Sequence, residues 1–207
     1  MSLDTYANLQ TAIADHLGRD DLTDQIPDFI LLAEEAHRAP VKEGGIRANE
    51  LMSREAITVD ARQVAFPTGF LEVVSFRLLT NPVTELEYVN YHEMNRVRSE
   101  ASGKPTRFTI GPEFEFDRTP DSSYSGEIVC FKEATALSDS NTSNEILANY
   151  PAAYLYGALV ATSPYLMDDP RIVVWQTLYA KAASRANSLA SKMRRGRGVS
   201  RVAGPTP

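Results

Sequence analysis

The hydrophobic period of this chain changes twice, and that pattern limits its fold more than any other feature. Near the start, Tyr6, Leu9, Ile13 and Leu17 recur at spacings of three and four, which lines one face of an α-helix. Asp4 is placed to cap that helix and Gly18 to end it. Phe29, Ile30, Ala33 and Ala36 give a second stripe, on a helix predicted over 24–39 with Pro27 in its first turn and Pro40 and Gly44-Gly45 beyond its end. From residue 52 to residue 131 the chain reads instead as short strands between turn signals. They are predicted at 52–59, 63–66, 70–79, 84–88, 107–110, 114–116 and 124–131. Glu113, Glu115 and Asp117 alternate with Phe114 and Phe116, predicting one wet and one buried strand face. Asn90 and Glu93 form a capping pair for one helical turn within this stretch.

Helical spacing then returns. After a polar loop at 138–144, Pro151 opens a helix carrying Tyr154, Leu155, Ala158, Leu159 and Ala161, and Pro164 kinks or closes it. Asp168, Asp169 and Pro170 open the last helix, whose stripe is Ile172, Trp175, Leu178, Tyr179, Ala182, Ala186, Leu189 and Met193, and Gly196 ends it. The expected fold class is α+β: an antiparallel helical bundle built from the N- and C-terminal helices, an inserted small antiparallel β-sandwich or barrel, and an extended C-terminal tail. The predicted divisions are 1–50 and 136–195 for the bundle, 51–135 for the β domain and 196–207 for a flexible arm.

At 207 residues, 43% of them hydrophobic, the chain can bury a core without disulfides or metal. Its one cysteine, Cys130, sits in an apolar run and reads as a buried strand residue. No secretory leader and no run of about 20 apolar residues is visible, so neither export nor a membrane partner is expected. Charge is divided unequally. Of 21 basic and 27 acidic residues, the stretch from Pro170 onward holds eight basic and no acidic ones, leaving 13 basic against 27 acidic before it. The body is thus −14 and the end +8, which suits an acidic partner for the end, or a neighbouring copy of the body.

The three histidines, His16, His37 and His92, form no recognised metal-ligand spacing, and no cofactor is expected. Phosphate loops, nucleophile elbows and C-x-x-C pairs are absent from the sequence. Glu34, Glu35, His37 and Arg38 bring acid and base together. Adjacent carboxylates on a helix point about 100° apart, however, and a solvated face is the expected reading. Arg194, Arg195 and Arg197 invite a nucleic-acid reading, but no aromatics accompany them.

Three stretches resemble the head-to-tail adaptor proteins of tailed bacteriophages, the tail accessory or tail tubular A-like factors. They are YANLQ at 6–10 with RDDLTDQIPDFILLAE at 19–34; FPTGFLEVVSFRL at 66–78 with LEYV at 86–89; and NEIL at 144–147 with YPAAYLYGAL at 150–159, PYLMDD at 164–169, Trp175 and Tyr179. The resemblance implies a structural subunit and not an enzyme. It implies a dodecameric ring docked under the portal protein, joined to a downstream tail or nozzle protein, in a virion assembled in the host cytoplasm. Genomic DNA would pass through its lumen without specific binding. No active site is carried over. On this reading Lys192, Arg194, Arg195, Arg197 and Arg201 are the candidate contacts to portal or a neighbouring subunit, and Glu113, Glu115 and Asp117 are candidates for the channel wall. Two other classes stay open from the sequence: a tail-associated peptidoglycan-cleaving enzyme, and a nucleic-acid-binding accessory protein using the basic C-terminus.

Overall fold

The computed structural model describes residues 3–19, 21–166 and 169–194, with side chains to residue 188. In chain order its elements are α1 (Tyr6–Leu17), α2 (Ile26–Arg38), β1 (Met52–Val59), β2 (Gln63–Val64), β3 (Phe70–Leu78), β4 (Thr84–Glu85), β5 (Glu87–Tyr88), α3 (Tyr91–Val97), β6 (Arg107–Ile110), β7 (Phe114–Phe116), β8 (Tyr124–Lys132), α4 (Glu145–Asn149), α5 (Pro151–Ala161) and α6 (Arg171–Arg194). They divide into two compact units. One combines residues 1–50 with 135–207, and the other is Leu51–Ala134.

In the helical unit the cap of α1 is Thr5, not Asp4. Thr5 is extended and its hydroxyl accepts from the Asn8 amide at 3.3 Å, while Asp4 accepts from the Asn8 side chain at 2.7 Å. Gly18, at φ 64°, ends the helix. Where a single helix is predicted from residue 24, a 3₁₀ turn, Thr23–Gln25, comes first and α2 follows it. Helices α1, α2, α4 and α6 all pack on α5. The reason is in its composition: Ala153, Tyr154, Leu155, Gly157, Ala158 and Leu159 are all buried, leaving no continuous polar face, as expected of a helix enclosed by others. Gly157 permits the close approach. A Cβ there would lie 3.1 Å from the Ala33 Cβ on α2 and 3.3 Å from the Tyr179 ring on α6. Pro164 lies in a 3₁₀ turn, Ser163–Tyr165, just past α5. The Asp169 carboxylate accepts from the Arg171 amide at 2.9 Å at the start of α6, and Asp168 lies outside the described residues. On α6 the buried side chains are Trp175, Ala183 and Ala186, while Ile172, Leu178, Tyr179 and Ala182 are half-buried. Leu189 and Met193 fall past the described side chains.

The second unit holds two four-stranded sheets, ordered β1-β8-β3-β4 and β2-β7-β6-β5. The predicted strand over 84–88 is two strands. Leu86, 4% exposed, turns into the core as the chain passes from the first sheet to the second. The second sheet is not wholly antiparallel, because β5 pairs in parallel with β6 (Glu87 opposite Arg107). A parallel pair needs a crossover connection, and α3 with the loop after it supplies one. Between the sheets lies an aromatic core. Phe76 meets Phe108, Phe114 and Phe116 edge-on at 5.3, 5.4 and 5.7 Å, with Val59, Leu78, Ile128 and Cys130 around them. Edge-on contacts add to burial through the ring quadrupoles.

Candidate functional site

The acid–aromatic strand does not have a wet face. Phe114, Glu115 and Phe116 of β7 are all buried, because α3 covers the side that carries Glu115. The Tyr91 hydroxyl of α3 donates to the Glu115 carboxylate at 3.4 Å, and the Arg98 guanidinium just after α3 meets it at 3.1 Å. Asp117 is 1% exposed and accepts from the Thr106 amide and hydroxyl, each at 3.0 Å, and from the Arg107 amide at 3.3 Å. Burial alone would raise its pKa; the bonds it accepts, with Arg118 alongside, outweigh that and hold it below the ordinary aspartate value. Glu115 and Asp117 are therefore engaged within the subunit, and of the three acids Glu113 is the exposed one.

The expected solvated face on α2 is also divided. Glu35 and Arg38 are exposed, whereas Glu34 and His37 are buried. One carboxylate oxygen of Glu34 accepts from the Leu137 amide at 2.8 Å and from the Tyr154 hydroxyl at 3.1 Å. That hydroxyl in turn accepts from the Asn144 side chain at 2.6 Å. Asn144 also donates to the Thr135 carbonyl at 2.7 Å and caps α4 by accepting from the Leu147 amide. A single network thus ties α2, the 135–144 segment, α4 and α5. Burial raises the Glu34 pKa, against the downward pull of these bonds. His37 lies edge-on to Tyr154 at 4.7 Å and stacks on Tyr179 at 6.1 Å. Burial lowers its imidazole to about 4, against a weaker upward pull from the backbone of Ala153. Burial also pushes the Tyr179 phenol up to about 12, and its hydroxyl donates to the Gly44 carbonyl at 3.0 Å. The signal for this buried pair was present in the sequence: Ile30 to Glu34 and Ala33 to His37 are steps of four along the apolar stripe. Neither side chain is open to a substrate, and the network fastens the fold.

Among the described residues no group of His, Cys, Asp or Glu side chains is arranged to hold a metal ion, and no helix is long and apolar enough to cross a membrane. Cys130 is buried, which raises its thiol pKa. Among the described outward surfaces of the helical unit are two helix faces of unlike character. On α2, Leu31 and Leu32 are 54% and 48% exposed, with the exposed acids Asp28 and Glu35 one turn to either side. On α6, Val173 and Val174 are 67% and 55% exposed, followed by a shallow open depression lined by Thr177, Ala180, Lys181, Ser184, Arg185 and Ser188. Of the basic residues singled out in the sequence, Lys192 and Arg194 fall in the last turn of α6 beyond the described side chains, and Arg195, Arg197 and Arg201 lie outside the described residues.

No curated protein matches the chain. The profile of the SU10 adaptor protein family matches residues 4–203. That match runs through the helical ends and the inserted sheets alike, and the chain belongs to the SU10 adaptor protein family.

Proposed function

We propose that this protein is the head-to-tail adaptor of a tailed phage. Copies form a ring beneath the portal protein, receive a downstream tail or nozzle protein on the far side, and leave a channel through which genomic DNA passes in the mature virion. The observation that carries this reading is the family match from residue 4 to residue 203. The charge division supports it, since a body of −14 and an end of +8 offer unlike surfaces to join. We read the helices packed on α5 as an antiparallel bundle that forms the body of the ring, with the β unit as an insertion. The basic residues from Lys192 to Arg201 act as an arm toward portal or a neighbouring subunit, and exposed body carboxylates, Glu113 among them, line the channel. Like charge on that wall keeps phosphates from sticking, where lysine and arginine contacts would hold the genome in place. The test is electron microscopy of the purified chain mixed with the portal protein encoded in the same genome. The expected image is a closed ring stacked coaxially on the portal. A chain that stays unbound to portal at every ratio and salt concentration would refute the assignment.

A further inference from the structure

A closed ring of identical subunits joins two different patches of each copy, head to tail. The helical unit carries two exposed helix faces that complement each other. The face of α2 places Asp28, Leu31, Leu32 and Glu35 at steps of i, i+3, i+4 and i+7, so the four share one side of the helix. It is an exposed aliphatic pair bracketed by two carboxylates. The outward face of α6 begins with the exposed pair Val173 and Val174, continues through small side chains at Ala180 and Ser184, and carries Lys181 and Arg185. Small residues spaced by four let a second helix approach closely. No acid lies anywhere on α6, and neither Lys181 nor Arg185 forms an ion pair with another described residue. The same is true of Asp28 and Glu35. Both helices turn their other sides to α5, where Ala33 of α2 and Tyr179 of α6 meet Gly157, so these two faces are not used in folding the subunit.

We infer that the α2 face of one subunit docks on the α6 face of the next copy, with leucines and valines packed together and Asp28 and Glu35 paired with Lys181 and Arg185. This inference rests on the ring proposed above and names the surfaces that build it. From Val173 to Ser188 the α6 face runs about 22 Å, and from Asp28 to Glu35 the α2 face runs about 10 Å, at about 1.5 Å per residue. One helix pair of that size is smaller than a standard stable interface of about 800 Å² per partner. It therefore holds when ring closure and the portal make every contact at once.

The experiment uses the full chain and the portal from the same genome, with ring yield read by sedimentation and microscopy. Lys181→Glu with Arg185→Glu reverses one face, and Asp28→Lys with Glu35→Lys reverses the other. Each variant alone should lose ring yield by at least about tenfold, since like charges then face each other across the joint. An equimolar mixture of the two should form rings again, because every joint in an alternating ring then pairs opposite charges. A chain carrying all four changes should also form rings. A second readout does not depend on yield. Leu32→Cys chains mixed with Ala180→Cys chains should form a disulfide-linked pair on the portal, and the buried Cys130 does not compete. Wild-type chains that close rings while both reversed variants do so equally well, or without the cysteine cross-link, overturn this interface and leave the adaptor reading standing. Wild-type chains that form no ring on portal overturn both.

Discussion

Two buried side chains on α2 give the molecule a readable pH response. In an unfolded chain His37 takes up a proton near 6.5, but in the fold burial holds that back to about 4. Between those values the unfolded state binds more protons, so stability falls as the pH drops from about 6.5 to 4, by up to roughly 3 kcal/mol. Glu34, raised by burial, acts in the opposite sense: its contribution is greatest at low pH and is lost as pH rises through its folded value. Comparing wild type with His37→Phe separates the two. Urea unfolding at pH 6.5, 5.5 and 4.5 should show a smaller loss of stability on acidification in the variant, which keeps a ring between Tyr154 and Tyr179. Equal losses in both chains would mean that His37 is not held neutral. Glu34 itself is needed as an acceptor more than as a charge. Glu34→Ala leaves the Leu137 amide and the Tyr154 hydroxyl without it, and should cost about 3 kcal/mol, whereas Glu34→Gln keeps a carbonyl in place and should cost about 1 kcal/mol. A Gln variant as damaged as the Ala variant would place the burden on the charge.

Among the elements, α5 leaves little room for added bulk. Gly157→Ala puts a methyl group against Ala33 and Tyr179 at once, so α2 and α6 must both give way. A loss of about 1–3 kcal/mol is expected in thermal or urea unfolding, and more for Gly157→Val; a neutral alanine variant would show that the three helices have slack. That crowding could not be read from the sequence, where Gly157 has no apolar side chain to enter a stripe. The elements with many like-minded residues were legible. The strand over 52–59 and the helix pattern from Tyr6 to Leu17 depend on periodicity over two or more turns or pleats, and local chemistry decides them. The parts that were not legible depend on what covers a residue from elsewhere in the chain. Glu115 alternates with phenylalanines as a wet-face residue does, yet α3 lies over it and Arg98 and Tyr91 partner it. Steps of four along the α2 stripe mark Glu34 and His37 for burial but not what meets them: Tyr154 and Leu137, more than 100 positions away, come beside Glu34 only in the fold. The change of sheet at Leu86 was hidden for a related reason: nothing local marks a strand that switches its partner.

For the whole molecule, charge sets how the chain behaves alone and on its partner. A body of −14 should keep isolated subunits apart at low salt. Light scattering is expected to report monomers or weak association there, with association rising as salt screens the repulsion; a stable ring formed at low salt without portal would contradict this. The basic end has a separate part. Beyond Lys192 the sequence holds four arginines, no acid, and three glycines and two prolines, with little to bury on its own account. Its arginines can make two-pronged bonds to carboxylates, so an acidic groove on the portal or on a neighbouring body suits it. Deleting residues 194–207 removes no side chain that the described core contains, Ala186 being the last buried one among the described side chains of α6. The melting temperature should therefore move by no more than about 2 °C, while co-sedimentation with portal weakens and loses part of its salt dependence. Changing Arg194, Arg195 and Arg197 together to Glu should weaken it further than the deletion does, because repulsion then replaces attraction. Lys181 and Arg185 stay intact in both variants, so the joint between α2 and α6 is not what is being tested. Truncated chains that join the portal at full strength across the whole salt series would show that the arm has no part in assembly.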